Sequence, residues 1–411
     1  MHHDEVYAVY RDLELPLWPV LFAMEREGFR VDTAVLKQMS DTYGQRLHAI
    51  EEQVHALAGH PFNLNSTKQL GEVLFEELKL PVLKKTKTGY STDIAVLEQL
   101  VDAHPIIALM IEYRKLSKLK STYLDGLQAV ADANGRVHTR FTQNVTATGR
   151  ISSLEPNLQN IPVRTEQGRE IRRAFIASAP GRVLVTGDYS QIELRILAHM
   201  AQEDHMRDVF AHGGDIHTST AALVNGVPIE QVTKQMRNAA KAVNFGIVYG
   251  ISDFGLSQNL HITRKQAAET IDQYLQTYPR IRSYMDTCIA QGKANGYVKT
   301  LSGRRRYTPE LRSKNYNLRS FGERVAMNAP IQGTAADIIK AAMITVYDQL
   351  AKELPDAKLI LQVHDELIVD CSRQDAEQVQ SMMRRCMEHV MELSVPLEVE
   401  VGQGENWLEA K

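Results

Sequence analysis

The stretch that decides the fold reads KLILQVHDELIVD and runs from Lys358 to Asp370. Its two apolar, strand-forming runs, Leu359–Val363 and Leu367–Val369, are separated only by the tripeptide His364–Glu366. Two strands this close turn back on each other, so the pattern predicts a hairpin with that tripeptide at its tip. Aspartate is a common turn former, whereas adjacent acids beside buried strands are costly without a counter-ion. An ordinary turn and a cation site are both consistent with this segment.

Outward from this hairpin, strand-like and helical patterns alternate along the chain. Strand-like runs occur at Val137–Phe141 and Val183–Thr186. The spacing of apolar side chains predicts long amphipathic helices over residues 31–60 and 91–131. Residues 206–300 have a helical pattern that is broken at Gly213, Gly214 and Gly226. A strand layer interrupted by a helical insertion predicts an α+β architecture in which a helical lobe grows out of a sheet.

Composition limits the class of protein. A chain of 411 residues is expected to form several subdomains, and its apolar fraction of 44% is ordinary for a globular protein. No apolar run is long enough to cross a bilayer, and the first residues do not resemble a secretory signal. The three cysteines lack the spacing of a zinc site or a disulfide framework. The sequence therefore predicts a cytoplasmic protein that does not enter the membrane.

Charge is unevenly distributed. The formal net charge is -3, which counts against a nucleic-acid-binding protein because such proteins are more often basic. Cations nevertheless cluster in residues 304–324, 114–120 and 84–87. A single basic run is usually a solvated face. The uneven distribution of the cations is nevertheless compatible with a polyanionic partner, which the net charge alone would disfavour.

A second carboxylate follows another predicted strand. The run that begins at Val183 is expected to end at Gly187, and a helix is expected to begin at Asp188. By itself Asp188 is explained as well by a helix N-cap as by a ligand at a strand end. Together with Asp365 it completes the pair of carboxylates needed to hold two magnesium ions about 3.5–4 Å apart. Magnesium usually takes one or two carboxylates, with substrate phosphates and water completing its shell.

The third informative segment is RNAAKAVNFGIVYG at Arg237–Gly250. Arg237, Lys241, Phe245 and Tyr249 are spaced by four, so they lie along one face of a predicted helix. Cations at one end of the stripe suit a triphosphate, and rings at the other end suit a base. Core packing of the two rings is the alternative. The chain has no GxxxxGK[ST] segment, so a P-loop does not hold the phosphates.

Taken together, these segments closely resemble the polymerase domain of the bacterial DNA polymerase I family, the A family, over nearly the whole chain. The strings that carry the resemblance are DYSQIELR at Asp188–Arg195 (motif A), RNAAKAVNFGIVYG at Arg237–Gly250 (motif B), QVHDE at Gln362–Glu366 (motif C), TGRISSLEPNLQNIPVR at Thr148–Arg164, NAPIQGTAADIIK at Asn328–Lys340 and KLSKLKSTYL at Lys115–Leu124. The resemblance implies a right-hand fold. Its expected parts are an N-terminal connector at 1–30, a thumb at 31–135, fingers at 208–316, and a palm at 136–207 and 317–411.

The family also implies a chemistry: the primer 3′-hydroxyl attacks the α-phosphate of a deoxynucleoside triphosphate, and pyrophosphate leaves. On this basis Asp188 and Asp365 are expected to bind two Mg²⁺ ions, which Mn²⁺ can replace. The Tyr189 backbone carbonyl is expected to be a further ligand, and Glu366 to assist nearby. Lys241 is the candidate proton donor to pyrophosphate.

Further roles follow from the same resemblance. The residues expected to bind the nucleotide are Arg237, Lys241 and His217 at the phosphates, Phe245 at the base and sugar, Tyr249 by the template base, Glu193 as a steric gate against ribose, and Gln191 beside it. Those expected to contact primer, template or minor groove are Arg150, Arg324, Asn328, Gln332 and His364. The expected partners are primer-template DNA and deoxynucleoside triphosphates, and the chain is expected to be a monomer.

One departure from the family and three alternatives remain. Only about thirty residues precede the expected thumb, too few for a proofreading or 5′-nuclease domain. An RNA polymerase or reverse transcriptase would use the same hand, but Glu193 argues against ribonucleotides. A non-catalytic DNA-binding module with a relic site is disfavoured by the intact Asp188, Asp365, Arg237 and Lys241. A two-metal nuclease would not need the stripe of cations and rings.

Overall fold

The computed structural model describes residues 5–87, 89–162 and 165–411. Two predictions fall partly outside these ranges. The first four residues of the expected connector are not described, nor are Val163 and Arg164, which end the string that begins at Thr148. Within the described ranges, no helix is long and apolar enough to cross a membrane.

The N-terminal third is mainly helical. Its elements are α1 (Glu5–Val9), a π-helical turn (Tyr10–Glu14), α2 (Leu15–Glu27), β1 (Phe29–Arg30), α3 (Thr33–Ala58), α4 (Thr67–Glu72), a π-helical turn (Val73–Glu77), β2 (Lys85–Thr86), β3 (Gly89–Tyr90), α5 (Ile94–Gln99), α6 (Pro105–Leu119), a π-helical turn (Lys120–Asp125) and α7 (Gly126–Val130). Part of this region has its own core, which lies between α3, α4 and α6 and includes Ile50, Leu74 and Met110. A separate core of this kind fits the expected thumb, whose bounds stay a prediction.

The middle of the chain holds short strands, one long strand and a series of helices. Its elements are β4 (Arg136–Val137), β5 (Arg140–Thr142), β6 (Ser152–Leu154), a 3₁₀ turn (Leu158–Asn160), α8 (Glu166–Arg172), β7 (Arg182–Tyr189), α9 (Ile192–Ala201), α10 (Asp204–Ala211), α11 (Ile216–Asn225), a 3₁₀ turn (Ile229–Gln231), α12 (Lys234–Val248), α13 (Asp253–Leu260), α14 (Arg264–Thr277), α15 (Pro279–Asn295), β8 (Tyr297–Lys299), β9 (Arg305–Tyr307) and a 3₁₀ turn (Pro309–Arg312). The remaining elements are α16 (Tyr316–Glu353), β10 (Lys358–Val363), β11 (Glu366–Ser372), α17 (Ala376–Glu388) and β12 (Val399–Gly404).

A four-stranded antiparallel sheet, in the order β10-β11-β7-β12, joins two distant parts of the chain. The predicted hairpin is confirmed, because Val363 pairs with Glu366 across a two-residue turn. Helix α17 packs closely on β7 at Gly187. A Cβ on Gly187 would lie 2.9 Å from Met387 Sδ and 3.0 Å from Met383 Cε. The resulting sheet with attached helical lobes is the predicted α+β architecture.

Three local predictions are corrected. The strand expected at Val137–Phe141 is two short strands, β4 and β5, which pair in different sheets. The expected helix over 91–131 is interrupted between Gln99 and Pro105, since proline lacks the N–H that a continuous helix needs. Strand β7 runs two residues past its expected end, and the next helix begins at Ile192. Asp188 is therefore a strand residue rather than a helix N-cap.

Candidate active site

The carboxylates of the site lie at one end of the sheet. Asp188 on β7 pairs directly with Glu366 on β11, and the Tyr189 N–H donates to the Asp365 carbonyl at 3.2 Å. The turn places His364 at a φ of +55°. Its carbonyl accepts a hydrogen bond of 2.5 Å from the Gln362 side chain. The sheet register therefore brings together Asp188 and Asp365, which are far apart in sequence.

Burial, reinforced by repulsion between these acids, sets the electrostatics of the site. Burial, together with the charges of Asp188 and Glu193, raises the pKa of Asp365 to about 7. Two carboxylates that cannot both ionise without cost are a suitable donor set for a hard divalent cation. Within the described ranges no three His, Cys, Asp or Glu side chains are grouped to hold a metal ion. A cation here would take its other ligands from backbone, substrate or water, as magnesium usually does.

Glu366 does not point freely toward such a cation. Its side chain is 2% exposed and accepts a hydrogen bond of 3.1 Å from Trp407 Nε1. Its other oxygen lies 3.8 Å from Arg172 and 3.2 Å from Lys411 Nζ. The same Lys411 ammonium donates to Asp188 Oδ2 at 2.8 Å. Lys411 was missed by the sequence analysis, because no pattern connects it with the two acids.

The predicted residue Tyr189 is held firmly. Its side chain is 3% exposed, and its hydroxyl donates to the Met387 carbonyl at 2.6 Å. Burial raises the pKa of this phenol far above its usual range. The ring is thus part of the core, and only its backbone is available for the expected role.

A cavity of about 680 Å³ lies in front of Asp365. It is lined by several predicted site residues: Arg150, Gln191, Glu193, Phe245, Tyr249, His364 and Asp365. Glu193 is 7% exposed and accepts a hydrogen bond of 2.5 Å from Arg150. Burial and a hydrogen bond with Glu193 raise the pKa of Tyr249 to about 12. The rings of the predicted stripe therefore reach the cavity that holds the carboxylate.

The other end of the stripe carries its cations. Arg237 Nε donates to Asp215 Oδ2 at 2.6 Å. Burial alone would raise the pKa of Asp215, but the hydrogen bonds from Arg237 and Thr218 lower it to about 2. Lys241 is exposed one turn further along α12. Asp215 was missed by the sequence analysis, although its position just before α11 marks it as a helix N-cap.

His217 is held close to the stripe. Its ring is 3% exposed and lies 5.5 Å, between centroids, from the ring of Phe245. The Nδ1 atom is 3.1 Å from Asn244 Nδ2. Burial lowers the pKa of His217 to about 4, so the ring is neutral at physiological pH. It can offer a hydrogen bond to a phosphate, rather than a full charge.

Helix α16 supplies a third wall. Arg324, Asn328 and Gln332 are spaced by four and share one helix face. Gly250, at a φ of +65°, ends α12 against this face, and a Cβ there would lie 3.1 Å from Arg324. Asn328 Oδ1 and Gln191 Oε1 are buried oxygens without a hydrogen-bond partner in the described part of the chain. Both are candidates to accept from a bound molecule.

Some members of the predicted basic clusters form internal contacts. Arg114 donates to the carbonyl and to the hydroxyl of Thr92, so it does not face a polyanion. Arg304 bonds Glu14 and Asp337, and the fully buried Lys340 bonds the same Glu14 at 2.6 Å. The run at 304–324 therefore contributes partly to the core, and its charges do not all serve binding.

The sheet with its carboxylate pair, faced by a helix of cations and rings, defines the right-hand polymerase fold. The model of one family, DNA polymerase family A, matches residues 33–409. The chain belongs to DNA polymerase family A.

Relatives and a solved structure agree with this assignment. The chain is 50% identical to DNA polymerase I of Bacillus subtilis (strain 168), across 100% of this chain and 47% of that protein. It is 51% identical to DNA polymerase I of Geobacillus stearothermophilus, with the same shares. The POL domain of Pol1 from M. smegmatis, in complex with DNA primer-template and dNTP, matches with a TM-score of 0.92 and 42% identity over 98% of this chain and 71% of that one. The chain thus spans about half the length of the curated relatives it matches.

Proposed function

We propose that this chain catalyses template-directed DNA synthesis, adding deoxynucleoside triphosphates to a primer 3′-hydroxyl with release of pyrophosphate. The observation that carries the proposal is the shared cavity, which Asp365 lines together with Phe245 and Tyr249 of the stripe. A nuclease would need the carboxylates but not the stripe. The M. smegmatis neighbour, described with primer-template and dNTP, supports the same choice.

In this proposal Asp188, Asp365 and the Tyr189 carbonyl hold two Mg²⁺ ions, with Mn²⁺ as a possible replacement. When bound, such ions activate the attacking hydroxyl and neutralise charge on the phosphates. Asp365 has to lose its proton before it binds a cation, and its pKa of about 7 places that loss near physiological pH. Glu366 would assist nearby by holding Trp407 and Lys411 in place, and it would not bind the cation itself.

The stripe on α12 is proposed to hold the nucleotide. Arg237 would leave Asp215 and bind the triphosphate. Lys241 would lie beside it as the candidate proton donor to pyrophosphate. The neutral ring of His217 would form a hydrogen bond with a phosphate. A guanidinium fork suits phosphate oxygens, and a ring such as Phe245 suits a base.

The mouth of the cavity is proposed to test the sugar and the new base pair. Glu193 and Gln191 would reject a ribose 2′-hydroxyl, and Tyr249 would lie by the template base. The residues proposed to contact primer, template or minor groove are Arg150, Arg324, Asn328, Gln332 and His364. Minor-groove acceptors are common to all correct pairs, so such contacts would check geometry without reading sequence. We further propose a monomer that works in the bacterial cytoplasm at the nucleoid.

Primer extension tests the proposal. The unmodified chain, Asp365→Ala and the control Asp348→Ala, an exposed acid on α16, are each given primer-template, Mg²⁺ and all four deoxynucleotides. Template-dependent growth by the unmodified chain and the control, but not by Asp365→Ala, supports the proposal. DNA binding without growth by the unmodified chain would instead favour a non-catalytic DNA-binding module.

A further inference from the structure

The last residues of the sequence are seated on the sheet beside the carboxylates. Trp407 is fully buried, and its backbone N–H donates to the Phe175 carbonyl at 2.8 Å. Thr186 on β7 donates to the Ala410 carbonyl at 2.6 Å. A Cβ on Gly402 would lie 2.2 Å from that same carbonyl oxygen, so glycine is required for the close approach. The backbone is thus anchored one residue before Lys411.

This anchoring delivers a cation to the predicted metal ligand. Lys411 Nζ donates to Asp188 Oδ2 at 2.8 Å and to Glu366 Oε2 at 3.2 Å. The match to the family ends at residue 409, so Lys411 lies two residues beyond the matched part of the chain. An ammonium that bonds Asp188 fills the position that a divalent ion bound to the same oxygen would need. It also neutralises the negative charge that would attract the ion.

We propose that Lys411 is a positioning residue that acts as the counter-cation of Asp188 in the metal-free protein, and that a divalent ion binds Asp188 by displacing it. The inference rests on the proposed function, in which Asp188 is a metal ligand. Glu366 provides the alternative partner for the displaced ammonium, because it is held by Trp407 and lies beside Arg172. Lys411 thereby keeps the acids in place and also sets how tightly the ion binds.

Two consequences have opposite signs. Removing the ammonium frees Asp188 for the metal, so the affinity for a divalent ion rises. The same change leaves the metal-free protein with an uncompensated acid pair, so its thermal stability in a chelator falls. Because the ion pair between Lys411 and Asp188 is partly exposed, its loss is expected to raise the affinity only about tenfold, which corresponds to about 1.4 kcal/mol.

The test uses Mn²⁺ alone as the probe, with the full chain and without DNA or nucleotide. Free Mn²⁺ is measured by electron paramagnetic resonance in a titration, and thermal unfolding is measured in EDTA and in Mn²⁺. The variants are Lys411→Met, the charge-retaining Lys411→Arg, and Lys358→Met as a matched control. Lys358 begins β10 at the opposite end of the sheet from the carboxylates. Asp188→Asn reports whether the metal site itself is correctly assigned.

Lys411→Met is expected to bind Mn²⁺ about tenfold more tightly and to unfold at a lower temperature in EDTA. Lys411→Arg and Lys358→Met are expected to stay close to the parent in both measurements. Unchanged or weaker Mn²⁺ binding by Lys411→Met, while Asp188→Asn loses binding, overturns the role of Lys411 and leaves the proposed function standing. If Asp188→Asn binds Mn²⁺ as well as the parent does, the metal site of the proposed function is wrong and this inference fails with it.

Discussion

Replacing Asp365 by asparagine should make the metal-free protein more stable at neutral and higher pH. Burial, with the charge of Asp188, raises the pKa of Asp365 from its ordinary 3.8 to about 7. The folded state therefore binds this proton more tightly than the unfolded state does. Between pH 4 and pH 7 the folded chain holds the extra proton, so the free energy of unfolding falls as the pH rises through that window.

The size of this effect follows from the two pKa values. A difference of one in pKa is worth 1.36 kcal/mol, so the ionised carboxylate costs the folded state about 4 kcal/mol at pH 8. At pH 5 most of the folded molecules still hold the proton, and the cost is about 2 kcal/mol. Asparagine has nearly the same shape and no charge. The variant Asp365→Asn is expected to be more stable by about these amounts.

Urea unfolding in EDTA at pH 8 and pH 5 measures the two differences, with Asp348→Asn as the control for loss of an exposed acid. Adding Mg²⁺ should stabilise the parent and leave Asp365→Asn nearly unchanged, because a ligand stabilises only the state that binds it. A variant no more stable than the parent at pH 8 would refute the reasoning. So would a gain of the same size at both pH values.

Three further outcomes are expected. If the chain is the proposed polymerase, Glu193→Ala should let it incorporate ribonucleotides, measured as the ratio of kcat/KM for the two sugars, and unchanged rejection would remove Glu193 as the gate. Asp215→Asn should lower the KM for deoxynucleotides about two- to fivefold with little change in kcat, since a half-exposed ion pair with Arg237 is worth about 0.5–1 kcal/mol. A higher KM would mean that Asp215 positions Arg237 rather than competing with the substrate. Glu14→Gln should lower the free energy of unfolding, measured in urea, by about 3 kcal/mol because it leaves the buried Lys340 without its carboxylate. Lys340→Met should lower it by less. A loss below about 1 kcal/mol for Glu14→Gln would contradict that account.

Much of the site could be predicted where its residues are neighbours in sequence. The hairpin at Val363–Glu366 follows from two short apolar runs separated by three residues. The stripe from Arg237 to Tyr249 follows from a spacing of four, which a helix places on one face. The structure confirms both elements. The strand at Asp188 was placed correctly but ended two residues too early, because a local pattern does not show how far the neighbouring strands extend their pairing.

What the sequence determined by itself was therefore the local elements, the motifs and, through them, the family. Only the tertiary structure decided which charges face each other. Lys411 reaches Asp188 across 223 residues, and Lys340 reaches Glu14 across 326. Glu366 accepts a hydrogen bond from the buried Trp407 and shares the Lys411 ammonium with Asp188. Periodicity reports which face of an element a side chain occupies, but the partner on that face is set by how distant elements pack, and no local pattern carries that information.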